Sequence, residues 1–262
     1  MQPYDAEFYK DRHTSTRFAA ETILSLVQGA IPEITTAIDI GCGVGTWLSV
    51  LREQGTSEVI GIDGEWVNVE SLVIPSECFW RRDLSRDDVH LDKRFDLAIS
   101  LEVAEHLPAD RAQQFVAQLT RLSDFVLFSA AVPGQGGANH INEQWPEYWV
   151  ELFQQHNYGV FDIIRGHIWS DDAIAVHYRQ NILLFVRAER APDVRIGDDL
   201  GGHSPLSVVH PKLFLNKIRA LTNPTIGQSA KLLAAAVMRR IRRNLGGLIG
   251  GDGGHPVPPE GS

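Results

Sequence analysis

Residues Ala37–Gly45 read A-I-D-I-G-C-G-V-G, an apolar stretch that runs directly into glycines at 41, 43 and 45. Alternate glycines after a strand form a turn without Cβ atoms, so a ligand can lie against bare backbone and the amides that open the next helix. The turn marks the seat of a nucleotide-like ligand and commits this part of the chain to a strand–turn–helix unit.

The rest of the chain repeats the alternation of apolar runs and helical patterns that a parallel-sheet protein requires. Strands are predicted at residues 36–40, 59–63, 78–81, 95–100, 125–130, 160–165 and 180–187. Helices are predicted at 17–28, 46–54, 109–122 and 147–156, and residues 167–178 read as a loop or short turn, so the last two strands form an antiparallel hairpin at the sheet edge. With 262 residues and 44% hydrophobic content, the chain suits one large α/β domain with additions. The expected organisation is a cap segment over 1–30, the main domain over 31–190, a linker over 191–210, a basic amphipathic helical arm over 211–245 and a disordered tail over 246–262.

Charge is unevenly placed. The net value is −9, yet residues 211–247 hold eight Lys and Arg and no Asp or Glu, leaving 16 basic against 31 acidic side chains before residue 211, a charge of −15. The acidic body argues against broad nucleic-acid binding. The cationic arm suits a membrane surface or an acidic protein partner, or folding back on the acidic body. Cys42 and Cys78 are too few for a disulfide framework or a zinc site. No signal-peptide pattern and no run of about 18 apolar residues is present, so the expected location is cytoplasmic, with peripheral membrane contact through the arm.

The residues after the glycines narrow the ligand. A dinucleotide turn wants glycine at its sixth position, where this chain has Thr46, and no Y-x-x-x-K pair occurs. The segment Asp39–Gly45 resembles the first motif of class I S-adenosylmethionine-dependent methyltransferases, and the later motifs are in step. Val59-Ile-Gly-Ile-Asp63 ends a second strand in an acid whose two oxygens can accept both ribose hydroxyls. Arg82-Asp83-Leu84 resembles the adenine contact, and Phe95–Leu107 (F-D-L-A-I-S-L-E-V-A-E-H-L) the fourth motif. The resemblance implies a Rossmann-like class I methyltransferase fold, with a seven-stranded mostly parallel sheet, an antiparallel edge hairpin and helices on both faces. It implies S-adenosyl-L-methionine as cofactor, held by Asp39, Gly41, Cys42, Gly43 and Gly45 of the turn, by Asp63 and Gly64, by Asp83 and Leu84, by Leu101, and by Tyr9 of the covering segment. Asp83 can equally be a helix cap or turn residue. Trp47 and Trp66 read as packing residues.

For the chemistry, Glu102, Glu105 and His106 stand at i, i+3 and i+4, so on a helix they project from one face within reach of one ion. His140 follows the fifth strand, in a loop that this topology places beside the fourth. Two carboxylates and two imidazoles suit Mg²⁺ or Mn²⁺ with open positions for substrate oxygens. The pattern E-x-x-E-H with a later His is similar to that of the O-methyltransferases of ubiquinone synthesis and the small-RNA ribose methyltransferases, in which the implied metal holds two neighbouring hydroxyls. Without a metal, His106 or His140 is the general base.

The loop P-G-Q-G-G-A-N-H-I-N-E-Q-W from Pro133 places Asn139, His140, Asn142, Glu143 and Trp145 together, a mixture that suits a polyhydroxylated ligand such as a sugar. It resembles bacterial methyltransferase-domain proteins of surface-polysaccharide clusters. Trp145, Tyr148 and Trp149 can instead pack the following helix on the sheet. His106, His140 and Glu143 are the candidate catalytic residues. Arg17 is a candidate carboxylate partner, and Trp169, Asp171, His177 and Tyr178 are candidate acceptor contacts. The leading expectation is O-methylation of a sugar or glycan intermediate. The alternatives are a catechol-like small molecule, or a methyltransferase-fold scaffold recruited by the basic arm.

Overall fold

The computed structural model describes residues 6–195, 206–222 and parts of 226–238, with side chains described from residue 16. The tail expected over 246–262 and the end of the basic arm lie outside the described residues. The chain divides after His210 into two units, and each is described by itself.

The first unit is built on one seven-stranded sheet: β1 (Thr36–Ile40), β2 (Glu58–Asp63), β3 (Phe79–Arg81), β4 (Leu97–Leu101), β5 (Phe125–Ser129), β6 (Tyr158–Phe161) and β7 (Leu183–Arg187). Their order across the sheet is β3-β2-β1-β4-β5-β7-β6. β7 alone runs antiparallel to its neighbours, filling the slot between β5 and the edge strand β6, so the expected edge hairpin is present. Helices α1 (Ala6–Ala30), α2 (Thr46–Glu53), α3 (Ala112–Leu122) and α4 (Pro146–Gln154) supply the outer layers.

Strand alternation sorts the core into two faces. Ala37, Leu97, Ile99, Leu127, Leu184 and Val186 face a layer holding α1 and α2, where Ile23, Leu24, Val27, Leu48 and Leu51 are buried. Ile38, Ala98, Val126, Phe128 and Phe185 face α3 and α4. There Phe153 stacks on Phe185 at 3.9 Å between ring centres, and Phe128 meets Trp149 at 5.3 Å. Burying each such side chain contributes about 1.5–3 kcal/mol. At the amino ends of the strands one oxygen of Asp96 accepts from the amides and hydroxyls of both Thr35 and Thr36 at 2.7–3.0 Å, pinning β1 to the start of β4.

The β6–β7 connection differs from the predicted loop. It contains two short helices, α5 (Arg165–Ile168) and α6 (Val176–Asn181). Two buried arginines organise it: Arg165 pairs with Asp162 and donates to the carbonyls of Gln180 and Leu206, and Arg179 reaches Asp172 and the Trp169 carbonyl. Buried polar anchors replace the apolar periodicity on which a helix reading depends. Residues 206–210 of the expected linker pack on the same region, where the His210 amide donates to Gln180 Oε1 at 2.7 Å.

In the second unit, helix α7 spans Pro211–Thr222. No helix among the described residues is long and apolar enough to cross a membrane.

Candidate active site

The site lies at the carboxyl ends of β1, β2, β4 and β5. Gly41, Gly43 and Gly45 all have positive φ, at 90°, 54° and 87°. A Cβ at Gly41 would sit 3.0 Å from Val103 Cγ1 and closer still to Cγ2, and one at Gly45 would sit 2.8 Å from Ile74 Cγ1. At these two positions two requirements coincide: left-handed backbone, and neighbours that leave no room for a side chain. α2 starts immediately afterwards at Thr46, with Gly45 as its N-cap.

Asp63 closes the turn. Its Oδ2 accepts from the Gly43 amide and its Oδ1 from the Gly64 amide, each at 2.7 Å. The two amides and the Trp66 side chain leave acceptor capacity on this carboxylate for a ligand hydroxyl. Burial raises its carboxyl pKa, against the Gly43 and Gly64 amides and the Trp66 side chain, which lower it. Asp39, wholly enclosed at the end of β1, is raised well above its ordinary value by burial and then by Asp63. The Cys42 thiol is likewise pushed up, by burial first and then by Asp39 and Asp63, so it is no nucleophile.

Trp47 is a packing residue, edge-on to Tyr178 at 5.4 Å, but Trp66 is not. Its indole is 72% exposed and folds over Gly64, whose Cβ would occupy the ring. Asp83 Oδ1 accepts from the amide and hydroxyl of Ser85, so the turn role is real, and the other oxygen lies 3.6 Å from Arg86. Leu84 is buried, and Leu101 ends β4 half-buried against the core. Tyr9 lies within α1, in the stretch before residue 16 where side chains are not described. Arg17 is engaged by Glu53 and Glu21 in exposed ion pairs.

The acceptor side begins where β4 ends, and here the expected helix is absent. Glu102 takes a left-handed conformation, φ 56°, and a single 3₁₀ turn spans Ala104–His106. The reason is local: Pro108 forces Leu107 into extended backbone, and Glu102 cannot begin a right-handed helix. The short turn nevertheless gathers ligating groups. Glu105, His106 and His140 each offer a donor atom within 4.8 Å of the others. The imidazoles meet edge to face at 4.8 Å. Glu102 stands outside this set, its carboxylate accepting from Gln135 Nε2 at 2.8 Å and Asn181 Nδ2 at 3.0 Å.

Glu105 is fully buried, and neither of its oxygens makes a hydrogen bond of normal geometry. Burial, followed by the facing Glu102 carboxylate, pushes its pKa up to about 9. A buried carboxyl pressed against a second one without well-formed hydrogen bonds is costly, and a bound cation would satisfy it. An oxygen and two imidazole nitrogens around one point fit a divalent ion. The residues present therefore fit the metal that the sequence pattern implies.

The loop after β5 supplies His140 and is tied to the same turn: the amides of Ile141 and Asn142 donate to the Glu105 carbonyl at 2.9 and 3.0 Å. Glu143 is the clamp of this loop. It accepts from the Gly134 and Gly136 amides at 2.8 and 2.6 Å and from His140 Nδ1 at 3.0 Å. Burial raises its pKa, but the bonds from His140 and the two amides outweigh it and hold Glu143 ionised. Glu143 thus positions His140 and fixes its tautomer, while Nε2 of the same ring lies close against Gly137. His106, its Nδ1 3.3 Å from the Asn139 carbonyl, is lowered by burial despite that carbonyl. Trp145 is exposed beside the loop, whereas Trp149 packs in the core and Tyr148 is half-buried against it. Of the late-connection candidates, Trp169 packs on His210 and Asp171 holds a local turn through the Ala173 amide.

Gln135 and Asn181 hold Glu102 in place, and sequence reading misses both. Asn181 Nδ2 also donates to Gln135 Oε1 at 2.9 Å, and Asn181 Oδ1 accepts from Gln180 Nε2. Only the fold brings residues 102, 135 and 181 together, and nothing in their spacing announces it.

Donor and acceptor halves touch directly, because Val103, between Glu102 and the 3₁₀ turn, is the side chain against Gly41. A glycine turn closed by an acid, abutting a cluster of carboxylates and imidazoles at a parallel-sheet switch point, defines a group-transfer enzyme with a nucleoside-type donor. Residues 11–169 match the methyltransferase-domain family, and the chain belongs to it. S-adenosylmethionine is its methyl donor. The ubiquinone biosynthesis O-methyltransferase of Dictyostelium discoideum mitochondria is 29% identical over 102 residues, covering 32% of this chain and 30% of that protein. The chain thus matches under a third of that relative's length. Among solved structures, Streptomyces venezuelae DesVI shares the fold, with a TM-score of 0.50 at 13% identity over 69% of this chain and 95% of that one. The magnesium protoporphyrin IX methyltransferase of Synechocystis PCC 6803 with bound S-adenosylmethionine gives a TM-score of 0.47 at 19% identity, covering 71% and 86%.

Proposed function

We propose that this methyltransferase acts on oxygen, transferring the methyl group to a hydroxyl of a sugar or glycan intermediate with a divalent ion held by Glu105, His106 and His140. The observation that carries the reading is the buried Glu105 carboxyl, crowded by Glu102 and without a hydrogen bond of normal geometry, beside two imidazoles and next to the donor turn through Val103. In the reaction the acceptor oxygen attacks the sulfonium methyl carbon, the carbon–sulfur bond breaks to leave S-adenosylhomocysteine, and the hydroxyl proton passes to a base. A bound divalent ion supplies charge that lowers the pKa of the acceptor hydroxyl and fixes its oxygen.

The protein's own groups do the rest. Glu143 aims His140, and Gln135 and Asn181 hold Glu102 against Glu105. His106, lowered by its burial, is neutral at pH 7 and able to take a proton. The same observation supports a second reading, in which His106 is the general base without a metal. The exposed Asn139 and Trp145 supply the polar and ring-covering groups that favour a sugar over a catechol; Asn142, expected beside them, is buried and bonded to the Ala104 carbonyl and to Gln144, so it braces the loop.

The test is methyl transfer by purified protein from labelled S-adenosylmethionine to panels of glycans, catechols, amines and carboxylates. Product methylated on a glycan oxygen supports the proposal, and transfer confined to catechols replaces the acceptor class. Transfer only to amines or carboxylates refutes O-methylation, and cofactor binding without transfer to any panel makes the chain a scaffold.

A further inference from the structure

The second unit carries a feature that the methyl-transfer site does not use. Wound at about 100° per residue, α7 places Phe214, Leu215, Ile218 and Leu221 on one face, with Lys217 and Arg219 on its two borders. All four apolar side chains are exposed, from 39% at Ile218 to 62% at Leu221. Exposed apolar residues continue beyond the helix at Ile226, Leu233, Val237 and Met238.

Charge indicates what covers this face. From residue 211 to 247 there are eight Lys and Arg and no Asp or Glu, although the preceding residues carry −15. A groove on a partner protein would take up an apolar stripe but gives no physical reason to exclude acids from every position around it. An anionic bilayer does, because its surface potential acts on the whole segment and repels each carboxylate. Apolar side chains entering the acyl boundary, with cations at the stripe's borders extending their stems to the phosphates, is the arrangement of a helix lying in the headgroup plane. Spanning is excluded for the described residues, since none of their helices is long and apolar enough.

We propose that the amphipathic helix α7, with the cationic sequence that follows it, docks this enzyme on an anionic phospholipid surface. The arm lies outside the unit holding the methyl-transfer site, so its substitution leaves the catalytic groups in place.

The test is flotation of the full-length protein with vesicles of phosphatidylcholine alone or mixed with phosphatidylglycerol, at low and high salt, beside the variants K217E/R219E and F214S/I218S. Each basic residue near an anionic surface contributes roughly fivefold in partitioning, so the charge reversal lowers binding by at least about 25-fold. The expected result is salt-sensitive flotation of the unmodified protein with the anionic vesicles alone, lost in both variants, with the melting temperature unchanged. Three results overturn the proposal: no flotation with anionic vesicles, equal flotation with neutral ones, or variants that float like the parent. Retention on poly-glutamate without flotation also overturns it and assigns the arm to an acidic protein.

Discussion

Replacing Glu105 by Gln separates what the cluster costs in stability from what it does. In metal-free protein Glu105 is buried, its pKa raised from 4.5 to about 9 by burial and by Glu102. Between those values the unfolded chain holds the group ionised while the folded chain holds it protonated, so folding takes up a proton. A raised carboxyl pKa therefore contributes stability that is fully present below pH 4.5 and is lost as pH rises toward 9, at about 1.4 kcal/mol per pH unit, or about 3 kcal/mol by pH 7. Gln is nearly isosteric, does not titrate, and can donate its amide to the Glu102 carboxylate. E105Q is accordingly about 3 kcal/mol more stable than the parent at pH 7 after chelation, with the pH dependence of that window flattened, while methyl transfer falls by at least about 100-fold through loss of a ligand to the ion. The assay is urea denaturation of chelated protein at about pH 5, 7 and 8.5, paired with transfer rates. Equal stability of parent and variant across the window would show that Glu105 is not a strained buried acid. Full transfer by E105Q would remove it from the site.

G41A combines a backbone cost of about 1–2 kcal/mol for left-handed φ with a clash on Val103, so it lowers the melting temperature and S-adenosylmethionine affinity together; unchanged affinity in calorimetry contradicts the role of the turn. D63N sets an amide N–H against the Gly43 or Gly64 donor and loses about 1–3 kcal/mol of cofactor affinity, about 5- to 150-fold, with glycan KM unaffected. N181A removes one of the two amides that hold Glu102 and lowers kcat about 10-fold at constant cofactor affinity; a fall in stability with kcat intact would make Asn181 merely structural.

The parts that could be read from sequence are those whose physics is local. A strand running into alternate glycines, and a second strand ending in Asp63, need only neighbouring residues to be recognised, and both stand as expected. Helical spacing over residues 102–106 names two of the three groups that meet, for a different reason: a left-handed Glu102, itself left outside, and a turn stopped by Pro108 bring Glu105 and His106 to His140, not a helix face. Glu143 has the expected location and another task, because only the folded loop turns the Gly134 and Gly136 amides toward it. Gln135 and Asn181 are illegible since their partner is distant in the chain, and Arg165 and Arg179 hide two helices by standing where apolar residues would be sought.

The most direct test of the central claim is transfer of labelled methyl to a glycan hydroxyl by unmodified protein before chelation, after it, and after addition of Mn²⁺. The structure predicts activity lost on chelation and restored by Mn²⁺ in the parent, with no restoration in E105Q. Full activity in chelated protein would contradict it.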